Sequence, residues 1–263
     1  MRNLRWLGVI VATILFLSSP TLAESTGDIF QDGNNNTAGI VQRLWWNETL
    51  IQQVGNSNQA DIVQKGLDHE ATIIQYGDEN QSSVSQLGCE SMTIAYQSGS
   101  GNEVDVTQFG AWYHWSFPLN PYGAAYFNMA SISQEGMDNQ AIVVQMHGLN
   151  DVTVSQNGTE NEVSTTQVQL AKELGDNTLS VTQEGNENMA DSHQIGAYNS
   201  AEVFQDGTQN WATIISVGTH HFASIFQKGV ENFASVFQRG NNNSAIVTQF
   251  GQGNRTVITQ TRL

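Results

Sequence analysis

Beyond the first two dozen residues, apolar and polar positions along this chain obey one rule. Glutamine recurs every eleven residues at Gln31, Gln42, Gln53, Gln64, Gln75, Gln86, Gln97 and Gln108. The series resumes at Gln134, Gln145, Gln156 and Gln167, and again at Gln183, Gln194 and Gln205. Ser216 takes the place once, and Gln227, Gln238, Gln249 and Gln260 complete twenty repeats. Two residues before this position stands Ile or Val in seventeen repeats, with Ala95, Thr165 and Ser192 departing. Six residues before it stands Asn in sixteen, the exceptions being Ser25, His69, Ser91 and His221. Two residues after it comes Gly in sixteen, with Leu44, His147, Gln169 and Arg262 departing. The repeat reads N-x-A-x-[IV]-x-Q-x-G and is complete from Asn243 to Gly251.

Asn, Ala, Ile/Val and Gln fall on alternate residues, so an extended strand points all four to one face. No charged residue occupies these four columns beyond Ala23, so that face is dry. The intervening Q-x-G-x-x-N segment predicts a turn, with Gly relaxing the φ restriction. Strand, turn, strand, turn closes a layer of two repeats, and each strand stacks on the one two repeats away. The predicted fold is all-β, a two-sided β-solenoid of about ten parallel layers at a spacing of about 4.8 Å. The phase breaks twice, between Gln108 and Gln134 and between Gln167 and Gln183, which places turn insertions near 111–127 and 170–174. Both fall between Gly and Asn, so strand register should survive them. Stacking sets each buried amide against its own kind, so donors and acceptors satisfy one another up the column. The ladder residues Gln31, Gln42, Gln53, Gln227, Gln238, Gln249 and Gln260, with Asn36, Asn243 and Asn254, are the candidate self-assembly positions. The repeats run from Ser25 to Leu263 and leave no room for a capping helix. Open strand edges are therefore expected at both ends, and open edges polymerise unless covered.

The first residues follow another logic. Arg2 and Arg5 precede an apolar run from Trp6 to Leu17, then small residues ending at Ala23. That order predicts a secretory signal peptide over residues 1–23, leaving 24–263 as the exported repeat region. The chain has 9 basic and 25 acidic residues, a formal charge of -16. Loss of Arg2 and Arg5 leaves 7 − 25 = −18. A chain this acidic is not expected to bind nucleic acid. Charged residues are only 13% of the total, which departs from ordinary enzyme composition and agrees with a polar, repetitive β structure.

The repeat N-x-A-x-[IV]-x-Q-x-G over paired eleven-residue arcs resembles the curlin repeat of bacterial curli fibre subunits. The resemblance covers nearly all of residues 24–263. It implies a structural subunit of an extracellular functional amyloid at the bacterial surface, supporting adhesion and biofilm matrix. It also implies as partners the chain itself, other curlin-type subunits and the outer-membrane curli export machinery. The pattern departs from the major subunit in lacking a Gly-rich leader between the signal segment and the first repeat. The stretch from Ile246 to Leu263 is closer to the basic tail of the minor, nucleating subunit. A second class of function is a soluble monomeric β-solenoid that binds a surface, a glycan or ice. An ice binder calls for a regular outward Thr-x-Thr array, and none runs along this chain.

Candidate chemistry is sparse. The acidic residues sit in turns or outward positions at the spacing of the repeat, so no catalytic pair, cofactor or small-molecule substrate is expected. His69 and His221 replace the inward Asn and read as ladder substitutes rather than metal ligands. Cys89 is expected in a turn as a surface thiol. Two aromatic groupings suggest lateral contacts. One is the insertion carrying Trp112 and Trp115. The other is the C-terminal set, where Trp211 and Phe233 stack two repeats apart, as do Phe204 and Phe226 on the opposite strand.

Overall fold

A computed structural model describes residues 11–17, 25–110, 127–169 and 175–262. Trp112, Trp115 and the second insertion, 170–174, lie outside the described residues. Among those described, twenty-one strands and no helix form two parallel sheets. Sheet A takes the odd strands: β1 (Val11–Leu17), β3 (Thr37–Arg43), β5 (Gln59–Leu67), β7 (Gln81–Cys89), β9 (Glu103–Phe109), β11 (Gln140–Met146), β13 (Glu162–Val168), β15 (Met189–Ala197), β17 (Trp211–Thr219), β19 (Phe233–Asn241) and β21 (Arg255–Thr261). Sheet B takes the even ones: β2 (Thr26–Asp32), β4 (Glu48–Asn56), β6 (Glu70–Asp78), β8 (Ser91–Ser100), β10 (Asn128–Met137), β12 (Asn150–Thr159), β14 (Asn177–Asn186), β16 (Ser200–Thr208), β18 (Phe222–Val230) and β20 (Ser244–Gln252). Each strand pairs with its neighbours in the same sheet, and each turn crosses to the other sheet. The chain is a two-sided β-solenoid of ten layers, as the eleven-residue period predicts.

Register follows the repeat. Ile40 lies over Ile62 and Gln42 over Gln64, both two repeats on. The first insertion does not disturb it, for Gln97 pairs with Gln134 on its far side. Across the second, Gln156 pairs with Gln183. The core between the sheets is the Ala and Ile/Val columns, a single stack from Ala38 and Ile40 to Ala245 and Val247. Thr165 and Ser192, neighbours in register, interrupt it with two buried hydroxyls that have no hydrogen-bond partner among the described residues.

The N-terminal end departs from the expectation of two bare edges. Val11–Leu17, within the apolar run assigned to the signal segment, pairs along its whole length with β3. Ala12 stands opposite Ala38, Ile14 opposite Ile40 and Phe16 opposite Gln42. This strand takes a repeat-like register because Ala and Ile recur at the same alternate positions. Among the described residues sheet B has no corresponding strand before β2, and β20 and β21 end the sheets at the other side.

A second correction concerns Cys89. It closes β7 and is buried rather than exposed in a turn. The turn tightens only after Gly88, so the next residue still lies over Leu67 of the layer before and is covered.

Candidate functional site

Each ladder Gln does two things with its amide. Gln53 Nε2 donates to Gln75 Oε1 of the next layer at 2.8 Å and to the Thr37 carbonyl of the facing sheet at 2.9 Å. The same pair of bonds recurs at Gln75, Gln97, Gln134, Gln205 and Gln227. The column therefore carries hydrogen bonds along the axis and also ties the two sheets together. Buried amides need such partners, since an unmade hydrogen bond in the interior costs about 1–3 kcal/mol. Ser216 shortens one rung, its Oγ reaching Gln238 Oε1 at 3.2 Å.

The Asn column runs the other way. Asn58 donates from its main-chain N–H and from Nδ2 to Asn36 Oδ1 of the preceding layer, and its Nδ2 also reaches the Gly77 carbonyl of the turn beyond. Asn80, Asn102 and Asn139 repeat the arrangement. Asn thus belongs to the turn as much as to the strand. Where His69 and His221 replace it, ring Nδ1 stands in for Oδ1 and accepts the N–H of Ser91 or Asn243, each at 3.3 Å. Desolvation holds His69 at about 4, below its ordinary value of 6.5, against opposing influences from nearby carbonyls and Asp68. The neutral ring is the form that can accept.

The ladders end on two unlike faces. At the N-terminal end Gln31 and Gln42 stand first in their columns, Gln42 under β1, and among the described residues their Oε1 atoms are buried without a partner. Asn36 likewise has no Asn before it to accept its main-chain N–H. At the C-terminal face Gln260 accepts from Gln238 at 3.0 Å and donates once, to the Ser244 carbonyl at 2.8 Å, so one amide hydrogen is without an acceptor among the described residues. Gln249, with no glutamine rung beyond it, donates to the Phe233 carbonyl and to Thr256 Oγ1, each at 3.0 Å. Asn254 and Asn243 use Nδ2 within their own side of the fold, and none of the described residues donates to their Oδ1 atoms. Ile29 and Ile258 pack against the core but are only partly buried, one at each face.

The ten ladder positions singled out from the sequence thus separate into two settings. Gln53, Gln227 and Gln238 are interior rungs, fully enclosed. Gln31, Gln42 and Asn36 line the first face; Gln249, Gln260, Asn243 and Asn254 line the last. The opposite directions of the two columns were not legible in the repeat, which has no sense of direction as a pattern of letters.

The outward C-terminal aromatics are close. Phe204 and Phe226 stack with centroids 4.9 Å apart, and Phe226 also meets Phe250 at 5.6 Å. On sheet A, Trp211 meets Phe233 edge-on at 5.6 Å, and Arg255 lies over the Phe233 ring at 4.3 Å. A shallow groove of about 100 Å³ between β5, β7 and β9 is lined by Asp61, Glu103 and Asp105. Burial, then Glu103, pushes the Asp105 carboxyl above its ordinary value. Among the described residues no three His, Cys, Asp or Glu side chains gather as a metal site, and no helix is long and apolar enough to cross a membrane.

The family model described as curlin associated repeat matches residues 47–88, 176–203, 196–229 and 229–261. These segments span β4 to β7 and β14 to β21. No curated protein matches the chain.

Proposed function

Given that the chain belongs to the curlin-repeat family, we propose that it is a fibre-forming structural subunit that joins end to end by β-strand stacking. The observation that supports this most directly is the state of the terminal layers. Among the described residues no strand covers the outer edge of β2, β20 or β21, and an uncovered edge is a template for another strand. The fibre is an extracellular, curli-like functional amyloid at a bacterial surface, where it supports adhesion and biofilm matrix. Its partners are copies of itself and other curlin-type subunits, and the outer-membrane curli export machinery delivers it after removal of residues 1–23. The aromatic rows at Trp211, Phe226 and Phe233 serve lateral contact between fibres.

The test uses the chain from Glu24 onward at tens of micromolar. Fibres that bind thioflavin and diffract at about 4.7–4.8 Å along their axis are expected. A chain that stays monomeric for days, without that reflection, would instead support the monomeric binding module.

A further inference from the structure

We infer that the joint between subunits is directional: the C-terminal face of one copy seats on the N-terminal face of the next, with Gln249 over Gln31 and Gln260 over Gln42. This rests on the end-to-end reading above and specifies its partner surface. Two unrelated observations carry it.

The first is the pairing of unmet groups. At the N-terminal end Gln31 Oε1 and, beneath β1, Gln42 Oε1 are buried carbonyl oxygens without donors among the described residues. The C-terminal face holds the Gln260 amide, one hydrogen of which lacks an acceptor among the described residues, and the Gln249 amide, which has no further glutamine rung to donate to. The Asn columns have the reverse need, with acceptors free at Asn243 and Asn254 and the Asn36 main-chain donor first in its column. Continuing the two-repeat step places β20 on β2 and β21 on β3. It sets Gln249 on Gln31, Gln260 on Gln42 and Asn254 on Asn36, and meets all these needs together. It also sets Val247 on Ile29 and Ile258 on Ile40, completing the aliphatic column. Two N-terminal faces brought together would oppose carbonyl to carbonyl, and two C-terminal faces would leave the buried oxygens unpartnered elsewhere.

The second is charge. Residues 211–263 carry four basic residues, Lys228, Arg239, Arg255 and Arg262, against the single acid Glu231. Residues 24–67 carry five acids against Arg43 and Lys65. The C-terminal end is therefore net +3 and the N-terminal end net −3. Unlike ends attract and like ends repel, which suppresses the wrong pairing.

The register is testable by cross-linking. In a Cys89→Ser background of the chain from Glu24 onward, one preparation carries Val41→Cys and the other Thr259→Cys. Both sites are outward, and the proposed joint makes them lateral neighbours in a parallel pair, within disulfide reach of about 4.4–6.8 Å between Cα atoms. Co-assembled under mild oxidation, the two should give heterodimeric disulfides as the dominant product, and either alone should give almost none. Phe30→Cys with Thr248→Cys makes the same test on sheet B. Homodimers from a single preparation overturn the direction. Fibres that show no cross-link from either pair overturn the register while leaving the fibre reading intact. Absence of fibres from the unsubstituted chain defeats that reading itself, and the joint with it.

Discussion

At the scale of single residues, position along the axis decides what a ladder amide does. Gln249 is already buried in one subunit and bonded to the Phe233 carbonyl and to Thr256. Gln260 is half-exposed until another layer covers it. A carboxylate at 260 therefore remains solvated in the monomer and is buried only in a joint, facing the unpartnered carbonyl oxygen of Gln42. Gln260→Glu should leave thermal unfolding of the monomer nearly unchanged and slow elongation at least tenfold at pH 7. Gln249→Glu should lower monomer stability as well, and Thr248→Glu, outward in the same layer, should affect neither. Elongation rates from preformed seeds, with melting curves of the monomers, distinguish the three; equal rates for Gln260→Glu and the unsubstituted chain defeat the role given to Gln260. The buried His69 makes a different prediction. Its folded value of about 4 lies below the ordinary 6.5, so the unfolded chain takes up the proton first as pH falls. Its contribution is complete above about pH 6.5, fades between 6.5 and 4, and reaches a limit on the order of 3 kcal/mol. His69→Asn restores the usual rung and should flatten that part of the stability–pH curve by denaturant titration. An unchanged slope rules out His69 as its source.

At the scale of elements, the turns carry information that the repeat hides. Each regular turn needs two residues at positive φ. Gly55 has φ 125°, and a Cβ there would collide with the Gly77 carbonyl oxygen stacked against it. Two residues later Ser57 has φ 58°, and Glu79, Glu160 and even Trp46 adopt the same left-handed conformation. That conformation is uncommon for such residues. Here it is held from outside, because Ser57 N–H bonds the Asn34 carbonyl of the layer before, and Glu79 N–H bonds Asn56 likewise. The strand alternation was legible because Gln, Ile/Val and Asn recur at a fixed step. The second left-handed site was not, since its residues share no side-chain chemistry and the constraint comes from a neighbouring layer. Cys89 was misplaced for a related reason: one letter beyond Gly does not reveal how far the strand continues. The strand at Val11–Leu17 was equally hidden, because Phe16 stands where nineteen of the twenty repeats have Gln. That strand occupies the place on β3 that β21 of a docking copy would take. The residue opposite Gln42 in that strand is Phe16, so the strand does not continue the glutamine column. The full chain should therefore elongate from its N-terminal face several-fold more slowly than the chain from Glu24 onward, measured on the same seeds. Equal rates would show that the strand yields its place freely.

At the scale of the whole molecule, charge is segregated along the axis. The two ends cancel, so the entire −18 of the chain beyond Ala23 resides in residues 68–210, where Lys172 stands alone against nineteen acids. The repulsive belt is thus set back from each joint by about two layers, on the order of 10 Å at the spacing of a parallel sheet. That distance makes ionic strength act in two opposed ways. At 0.01 M salt the screening length is about 30 Å, and belts of approaching subunits repel through the joint. At about 0.15 M it is about 8 Å, so the belts are screened from one another while the +3 and −3 ends still attract at contact. At 1 M it is about 3 Å and that steering is lost too. The assembly lag should pass through a minimum near physiological salt rather than shorten without limit. Acid should shorten it as well, as carboxylates discharge toward their ordinary values near 4. Asp105 and Asp151 lead, since burial raises both, with Glu103 and Asp176 adding to it. Because His69 weakens the fold over the same range, the pH series belongs in the His69→Asn background, where shortening of the lag is free of the His69 contribution. Aromatic control is the competing account. Replacing Trp211, Phe226 and Phe233 by Ser should then lengthen the lag at every salt concentration, whereas the electrostatic account keeps the minimum in place. Thioflavin time courses from 0.01 to 1 M salt, on both chains, decide between them. A lag indifferent to salt and pH in the His69→Asn chain leaves the acidic belt no part in assembly.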